Sequence, residues 1–488
     1  MRDVPLRVPG ERDERGGLER SRAAQPAATR AALARVSSPR HSTRRCPPQL
    51  SIVNGPLEAI AAELGFAGDA ARAGLVVSSV LVGAATGSVA GGRLADRLGR
   101  RRALAAVALP LALGAVLCSV APSIAVLVLG RLVVGVGVGA ASVVTPLYLA
   151  EIAPTRLRGA LASLSQLSVV AGVLGALVVN LRLGPAAWRR SFLLGAAPAL
   201  ALLVGSAAGL APETPAWLAG RGDAPGAARA AAALGLPVPT AALPVADLEG
   251  GKAAPRGSSW LGLSLLFPAS PLRRPARLAV TLFALQQFSG INAVIYYSSP
   301  ILAASGVADA ALASVAVGSA NLAGSLAATA LLDRAGRVPL LAGSYSGMAA
   351  AAATLSASML LPSLRGTLLG GRLALWSIIA YILAFSVGAG PVPGILSSEV
   401  FPSEERARGV SLAMLSHWTF NFCVGLGFPV VVAALGGSPG PVFAFFAAGA
   451  AGGAVHALIQ CPETRGRSLD DVQRDLAAAR SSSTTSRR

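Results

Sequence analysis

Three amide side chains lie close together in an otherwise apolar part of the chain. Gln286, Gln287 and Asn292 belong to the stretch QQFSGINAVIYYSSP, residues 286–300, which contains no charged residue. A carboxamide offers a hydrogen-bond acceptor and two donors, so the group suits a neutral ligand rich in hydroxyls. The same amides could instead join neighbouring helices, an interaction worth about 0.6 kcal/mol on average in membrane proteins. The residues alone leave both interpretations open.

The composition places these amides in a membrane protein. Of the 488 residues, 53% are hydrophobic and 13% are charged, whereas soluble domains carry about 25% charged residues. The net charge of +19 is spread over short clusters between apolar runs and over the two tails. Aromatic residues are not interleaved with these clusters, so we expect no nucleic-acid partner. The cysteines lack CxxC spacing and the three histidines are scattered, so no disulfide, metal or cofactor is expected.

Eleven apolar runs are long enough to cross a bilayer, since a membrane helix needs about 20 residues. They lie near 72–94, 103–121, 124–147, 159–181, 190–211, 276–304, 310–332, 338–361, 370–396, 407–434 and 440–460. A further run near 49–62 is short. The predicted class is therefore an all-α membrane protein. Its expected divisions are an N-terminal tail at 1–48, a helix bundle at 49–211, a central loop region at 212–275, a second bundle at 276–460 and a tail at 461–488.

Three motifs recur in the same order in the two bundles. LADRLGRRRAL (94–104) is repeated as LLDRAGRVPLL (331–341), LAEIAPTRLRGAL (149–161) as SSEVFPSEERARGVSL (397–412), and PETPAWL (212–218) as PETRGRSL (462–469). Such duplication is typical of secondary transporters and predicts two similar six-helix bundles. The arginine clusters of these motifs all fall on one face of the membrane, which the excess of positive charge marks as the cytoplasm-like face.

These motifs make the chain similar to the sugar-porter family of the major facilitator superfamily. The matching signatures are GRLADRLGRR, GRLVVGVGVGAASVVTPLYLAEIAPTRLRGAL, PETPAWL, QQFSGINAVIYY, DRAGR, GAGPVPGILSSEVFP and PETRGRSLDDV, which together span about residues 51–475. The chain most resembles the plastidic glucose transporter branch. The resemblance implies a monomeric hexose carrier that works by alternating access in a lipid bilayer, without a cofactor. A proton-coupled symporter and a non-transporting sugar sensor are the alternatives. No Ser/His/Asp grouping among the spans supports a membrane enzyme.

The resemblance also assigns the amides to a sugar site. The residues implied to bind the substrate are Gln166, Gln286, Gln287, Asn292, Asn321, Gly390 and Trp418. Two positions depart from the family pattern. Gly394 stands where many relatives have tryptophan, and His417 stands where many have asparagine or glutamine. Both departures bear on which sugar is preferred.

The charged residues of the repeated motifs are implied to form a reversible clasp between the two bundles. Its members are Asp96, Arg97, Arg100, Arg131, Glu151, Arg158, Asp333, Arg334, Arg337, Glu399 and Arg406. Exposed ion pairs contribute only about 0–1 kcal/mol each, so several of them can hold one state without freezing it. Glycines 135, 137 and 139 predict a close approach of neighbouring helices.

The beginning of the chain departs from the family pattern. Residues 20–45 contain seven arginines and no acidic residue, which is typical of an organelle transit peptide. A misjoined gene start is the other interpretation. A plastid inner envelope location is expected on the first interpretation, with the plasma or vacuolar membrane as alternatives. Proton-coupled relatives carry aspartate at the position aligned with Gln49, so the neutral Gln49 favours facilitated diffusion.

Overall fold

The computed structural model describes residues 52–152, 158–209, 212–234, 236, 263–267, 270, 272–307, 309–402 and 405–465. The expected transit peptide and Gln49 lie outside these residues. So do the middle of the central loop region and most of the C-terminal tail.

Helices account for nearly all of the described chain. The N-terminal half contains α1 (Leu57–Glu63), α2 (Ala70–Leu98), α3 (Arg100–Ser119), α4 (Ile124–Ile152), α5 (Arg158–Leu183) and α6 (Trp188–Ala207), followed by the short α7 (Pro215–Gly220) and α8 (Ala224–Leu234). The C-terminal half contains α9 (Arg273–Phe288), α10 (Ile291–Ala304), α11 (Ala310–Ala335), α12 (Arg337–Leu360), α13 (Leu368–Val387), α14 (Val392–Glu399), α15 (Arg406–Ala434) and α16 (Gly440–Gln460). Two 3₁₀ turns lie at Pro185–Ala187 and Leu263–Leu266.

Eleven segments of the described chain are long and apolar enough to cross a membrane. This number confirms the eleven spans predicted from the sequence. Two of these segments, Arg273–Ala304 and Leu368–Glu399, each consist of two helices that meet at a break. The short α1 precedes the first of these segments. Its Glu63 accepts hydrogen bonds from Trp188 Nε1 at 2.6 Å and Arg189 Nη2 at 2.8 Å, which fix α1 to α6.

Glycines allow α2 and α4 to pack backbone to backbone. A Cβ atom on Gly83 would collide with the carbonyl oxygen of Leu132, and one on Gly139 would collide with that of Ala84. Gly135 is in the same situation against Val80. The prediction that these glycines serve close packing is therefore confirmed for this helix pair.

The two halves meet mainly through α2 with α15 and α5 with α11. Near the start of α2, Gly74 packs directly against the backbone of Leu426, close to the end of α15. These ends lie on the face opposite the arginine clusters, which we call the opposite face. At the same face, Asn54 Nδ2 donates to Ser298 Oγ at 2.6 Å, and the amide of Ser299 donates to Asn54 Oδ1 at 3.2 Å. The halves are thus in contact at the opposite face.

The break between α9 and α10 lies at Ser289 and Gly290. Gly290 has φ +94°, and a Cβ there would strike the ring of Phe446. A left-handed conformation packed this tightly requires glycine. The carbonyl of Ser289, freed by the break, accepts a 2.6 Å hydrogen bond from the Tyr381 hydroxyl. The backbone is therefore satisfied by side chains, as an interrupted helix inside a membrane requires.

The break between α13 and α14 runs from Gly388 to Pro391. Pro391 cannot donate a backbone hydrogen bond, which ends the regular helix. The amide of Ala389 donates to Ser344 Oγ at 2.8 Å, so α12 supplies the missing partner. This break lies beside the first one, as the contact between Gln286 and Ala389 shows. The prolines of the GAGPVPG motif thus mark a real interruption.

Candidate functional site

Gln286 spans the space between the two helix breaks. Its Nε2 donates to the carbonyl of Ala389 at 2.6 Å and to that of Gly390 at 3.3 Å. Both carbonyls belong to the irregular segment between α13 and α14, where no helical donor reaches them. The amide therefore satisfies one broken helix while it sits at the end of the other.

Gln287 is the centre of the amide cluster and is completely buried. Its Nε2 donates to Gln286 Oε1 at 3.2 Å and lies 3.0 Å from His417 Nδ1, while its Oε1 accepts from Asn292 Nδ2. Because an amide nitrogen only donates, His417 Nδ1 must be the acceptor, and the ring proton sits on Nε2. Gln287 thus connects three other side chains into one hydrogen-bonded network. These are Gln286, Asn292 and His417, and none of them is an acid, a lysine or an arginine.

Trp418 and Asn421 extend this network along α15. His417 packs edge-on against Phe283 and against the Trp418 ring, with ring centroids 5.2 Å and 4.9 Å apart. Trp418 Nε1 and Asn421 Oδ1 are both buried without a hydrogen-bond partner among the described residues. An unpaired donor and an unpaired acceptor, less than one helical turn apart, offer a hydroxyl group both of the bonds that it can make.

The other predicted substrate residues lie on α5, on α11 and around the break before α14. Asn321, buried on α11, has its Oδ1 2.9 Å from Ser386 Oγ on α13. Gln166 is exposed on α5, the helix that packs against α11. Gly390 contributes a carbonyl to Gln286. A Cβ on Gly394 would meet nothing within 4 Å, so the position where relatives carry tryptophan faces open space.

These groups can bind a neutral ligand, and none of them is a carboxylate, a lysine or an arginine. Asp96 and Glu399 are the acidic residues within the described membrane segments, and each lies at or near a segment end. The centre of the described spans contains amides, hydroxyls, an indole and an imidazole. Such a set exchanges hydrogen bonds with hydroxyls at little net cost, since each bond lost to the protein is replaced by one to the ligand.

A first charge network lies at the arginine-rich face of the N-terminal half. Arg100 Nη2 pairs with Glu151 Oε1 at 2.8 Å, and Arg100 Nη1 pairs with Asp96 Oδ1 at 3.2 Å. Thr214 Oγ1 donates to the second oxygen of Glu151 at 2.5 Å. Glu213 accepts from the backbone amides of Arg100 at 2.8 Å and Arg101 at 3.1 Å, so a carboxylate caps the start of α3. Negative charge stabilises a helix N-terminus.

The C-terminal half repeats the arginine, glutamate and threonine contacts of this network. Arg337 Nη2 pairs with Glu399 Oε1 at 3.2 Å, and Thr464 Oγ1 donates to Glu399 Oε2 at 2.5 Å. Glu463 accepts from the backbone amides of Arg337 and Val338, both at 3.0 Å, at the start of α12. Although burial opposes its ionisation, these and neighbouring backbone donors hold the pKa of Glu463 below its ordinary value.

Arg131 does not belong to these networks, which corrects the sequence-based expectation. It lies 20 residues before Glu151 on α4, a distance of about 30 Å at about 1.5 Å per residue. The side chain is fully buried, and it donates to the carbonyls of Val76 at 3.2 Å and Val77 at 3.1 Å, near the start of α2. The arginine therefore lies towards the opposite face.

For the remaining predicted members of the clasp, the structure describes no ion pair. Arg97 and Arg334 have exposed side chains that form no ion pair with a described residue. Arg158 and Arg406 begin α5 and α15, and Asp333 lies near the end of α11. The side chains of these three residues lie outside the described part of the chain. The ion pairs that are described connect helices within one half.

Sequence reasoning missed five residues of these sites. Glu213, Thr214, Glu463 and Thr464 belong to a repeated PET motif that was noted without a role. The sequence contained a signal for their role. Both copies of the PET motif keep a carboxylate and a hydroxyl, and they accompany the repeated motifs that contain Arg100 and Arg337. Asn421 could have been found by its spacing of three residues from Trp418, which places both on one face of a helix.

Comparison with known protein families gives one match across most of the chain. The family profile described as "Sugar (and other) transporter" matches residues 27–476. Plastidic glucose transporter 4 of Arabidopsis thaliana is 38% identical over 436 residues, which are 88% of this chain and 77% of the relative. The facilitated glucose transporter member 4 of solute carrier family 2 from Mus musculus is 34% identical over 404 residues, 82% of this chain and 78% of the relative.

Solved structures show the same architecture. The xylose transporter XylE from E. coli, in a partially occluded inward open conformation, superposes with a TM-score of 0.71 at 26% identity. The match covers 88% of this chain and 97% of that structure. The all-α fold with two bundles of membrane helices, predicted from the sequence, is thereby confirmed.

Proposed function

This chain belongs to the sugar (and other) transporter family, and on that premise we propose that it carries a glucose-like hexose across a membrane by alternating access. It is an integral membrane transporter rather than an enzyme, as its relatives and its fold show. The hexose is suggested by the relatives named as glucose transporters. The site described above supplies the chemistry that such a cargo requires.

One observation carries the proposal: a buried, uncharged hydrogen-bonding network lies where two membrane helices break. Gln286 and Ala389 join the breaks, and Gln287 links them to His417 on α15. Carriers place their substrate sites at discontinuous helices near the bilayer midplane. A sugar that replaces the bond between Gln286 and Ala389 would act on both broken helices at once, which couples binding to their movement.

The state of the molecule fits one step of an alternating-access cycle. The halves are joined at the opposite face by the hydrogen bonds of Asn54 with Ser298 and Ser299. A carrier that is closed at the opposite face must break these hydrogen bonds before sugar can enter or leave through that face. The charge networks around Arg100 and Arg337 are proposed to form the changing contacts at the arginine-rich face, with Arg97, Arg158, Arg334 and Arg406 as further members.

Facilitated diffusion is the mode that the described residues support. A proton-coupled carrier needs a group that binds and releases a proton inside the membrane. The acidic residues of the described spans, Asp96 and Glu399, lie at or near span ends, and Glu399 is paired with Arg337. We therefore propose that the transporter only equilibrates sugar between the two sides.

Uptake of radiolabelled D-glucose into proteoliposomes, with and without an imposed pH gradient, tests the function. We expect uptake to stop when the glucose concentration is equal on both sides, and we expect a protonophore to leave it unchanged. Accumulation abolished by a protonophore would show a symporter. Specific glucose binding without any flux would show a sensor, and either result would contradict this proposal.

The proposed membrane is the inner envelope of a plastid, and the proposed working unit is a monomer. The plastidic relatives and the arginine-rich stretch at 20–45 support the location. The N-terminal sequence of the mature protein, taken from isolated envelope membranes, tests it. A mature chain that begins before residue 20 would contradict the transit-peptide interpretation.

A further inference from the structure

A cavity lies at the opposite face, and no residue of the amide cluster lines it. Its volume is about 230 Å³, and it is bounded by α1, the end of α5, α10 and the start of α11. It therefore lies between the two halves at the face where they are in contact. The cavity is smaller than the roughly 300–1,000 Å³ of sites for drug-sized ligands, so it admits only a small molecule.

Asn180 lines this cavity and carries a buried, unsatisfied acceptor. The side chain lines the cavity and is only 9% exposed. Its Nδ2 donates to the carbonyl of Ile52 at 2.9 Å, which fixes the amide, while its Oδ1 is buried and has no hydrogen-bond partner among the described residues. A buried polar atom left unpaired costs about 1–3 kcal/mol. A ligand with a hydrogen-bond donor would remove that cost.

The wall across from Asn180 is built from hydroxyl groups of the other half. Ser299 Oγ and Ser314 Oγ are 2.8 Å apart, and Ser298 Oγ, which receives the Asn54 amide, lies 3.2 Å from Ser314 Oγ. Ser299 and Ser314 line the cavity. The exposed Glu58 stands at its rim as a further acceptor.

The chemistry of this lining selects the ligand. Acceptors predominate, and no lysine or arginine is among the described residues that line the cavity, so an anion such as phosphate would meet the Glu58 carboxylate without a compensating charge from them. Leu57, Leu177 and Pro300 supply apolar surface beside the polar groups. A compact ring that carries hydroxyl donors and has an apolar face would match both the acceptors and the apolar surface of the cavity.

We propose that this cavity is a second, low-affinity site for one neutral monosaccharide, and that its occupation holds the opposite face closed. The sugar would contact Asn180 in one half and Ser299 and Ser314 in the other. A ligand that binds only when the two halves are together stabilises that conformation. The choice of ligand rests on the proposed function, whereas the cavity and its unpaired acceptor do not.

Protection of a cysteine in the cavity tests this inference. Ala311 lines the cavity and is exposed, so Ala311→Cys provides a reporter for a membrane-impermeant maleimide. Cys46, Cys423 and Cys461 are replaced by serine, and Asn292→Ala removes the sugar contact of the amide cluster. In this background, D-glucose should slow labelling saturably by at least about threefold. Betaine at equal osmolality should not.

Two neighbouring alanines provide a matched pair. Ala303 lines the cavity and Ala304 does not, although both are exposed on α10. Ala303→Phe should fill the cavity and abolish protection by glucose, while Ala304→Phe should leave it unchanged. Asn180→Leu should raise the glucose concentration needed for half-protection by at least about fivefold.

The outcomes separate this inference from the proposed function. Labelling that glucose does not slow, or protection that persists in Ala303→Phe, would overturn the second site whatever the transport activity is. Slowing by betaine equal to that by glucose would show an osmotic effect and would also overturn it. Absence of glucose flux in the wild-type protein would contradict the transporter assignment while leaving saturable protection as evidence for the cavity site.

Discussion

The side-chain amide of Gln286 donates a 2.6 Å hydrogen bond to the backbone carbonyl of Ala389, 103 residues further along the chain. This bond connects the end of α9 to the gap between α13 and α14. Because regular helical hydrogen bonds are missing at both ends of this contact, a single side chain couples two interrupted helices. Gln286, which we propose as a sugar contact, therefore also connects two broken helices.

Replacement of Gln286 by leucine should slow transport more than it weakens the fold. The change removes the donor for Ala389 and Gly390, and hydrogen bonds of this kind contribute about 0.6 kcal/mol on average in membrane proteins. We expect a melting temperature within a few degrees of wild type and glucose flux reduced at least about tenfold. Ser398→Ala is the control, since Ser398 Oγ bonds only the Ile395 carbonyl of its own helix. Equal flux in both variants would refute the coupling.

His417 should be replaceable by asparagine but not by phenylalanine. The imidazole accepts a hydrogen bond from Gln287 Nε2 at 3.0 Å, and an asparagine oxygen can accept in its place. In His417→Phe the donor is left buried and unpaired, which costs about 1–3 kcal/mol. The Michaelis constant for D-glucose should stay within about threefold of wild type in the first variant and rise at least about tenfold in the second. Similar constants for both would show that Nδ1 has no role in the site.

The two arginines of the repeated networks should differ in their effect on stability. The Arg100–Glu151 pair is nearly buried, with side-chain exposures of 4% and 6%, whereas the Arg337–Glu399 pair has exposures of 19% and 25%. Removal of one partner from a buried pair costs about 3–5 kcal/mol, and exposed pairs contribute about 0–1 kcal/mol. Arg100→Ala should therefore lower the melting temperature clearly more than Arg337→Ala. Thermal unfolding followed by size-exclusion chromatography in detergent gives the comparison, and the reverse order would contradict it.

Glu463 should make the protein sensitive to acid. Its folded pKa is held below the ordinary value of 4.5, so its ionised form stabilises the fold above that pH. This stabilisation is lost as the pH falls through the lowered folded pKa. A series of melting temperatures from pH 7 to pH 3 should therefore fall less steeply below pH 4.5 for Glu463→Gln than for wild type. Parallel curves for the two proteins would show that the carboxylate does not cap α12.

The sequence predicts the fold and the centre of the site because those features are local. The eleven spans follow from runs of apolar residues, and Gln286, Gln287 and Asn292 stand out as polar residues within such a run. The close packing of α2 on α4 follows from Gly135 and Gly139 in the same way. Each of these inferences needs only the residues on either side.

The features that were not predicted depend on how deep a residue lies in the membrane and on contacts with residues far away in the sequence. Arg131 sits in the same motif as Glu151, yet 20 residues of helix place it towards the other face of the membrane. Thr214 reaches Glu151 across 63 residues of chain, so its role could not be deduced from either segment by itself. The closed network around Gln287 depends likewise on where α15 lies.

The most direct test of the central claim is the initial rate of radiolabelled D-glucose uptake by reconstituted wild-type protein and by Asn292→Ala. Asn292 donates to Gln287 Oε1 and is 8% exposed, so its loss opens the network and removes a group that we propose to contact the sugar. We expect saturable uptake by the wild type and a rate at least about tenfold lower in the variant. The two proteins should elute alike on size-exclusion chromatography. Near-normal uptake by a correctly folded Asn292→Ala would contradict the assignment of the amide cluster as the sugar site.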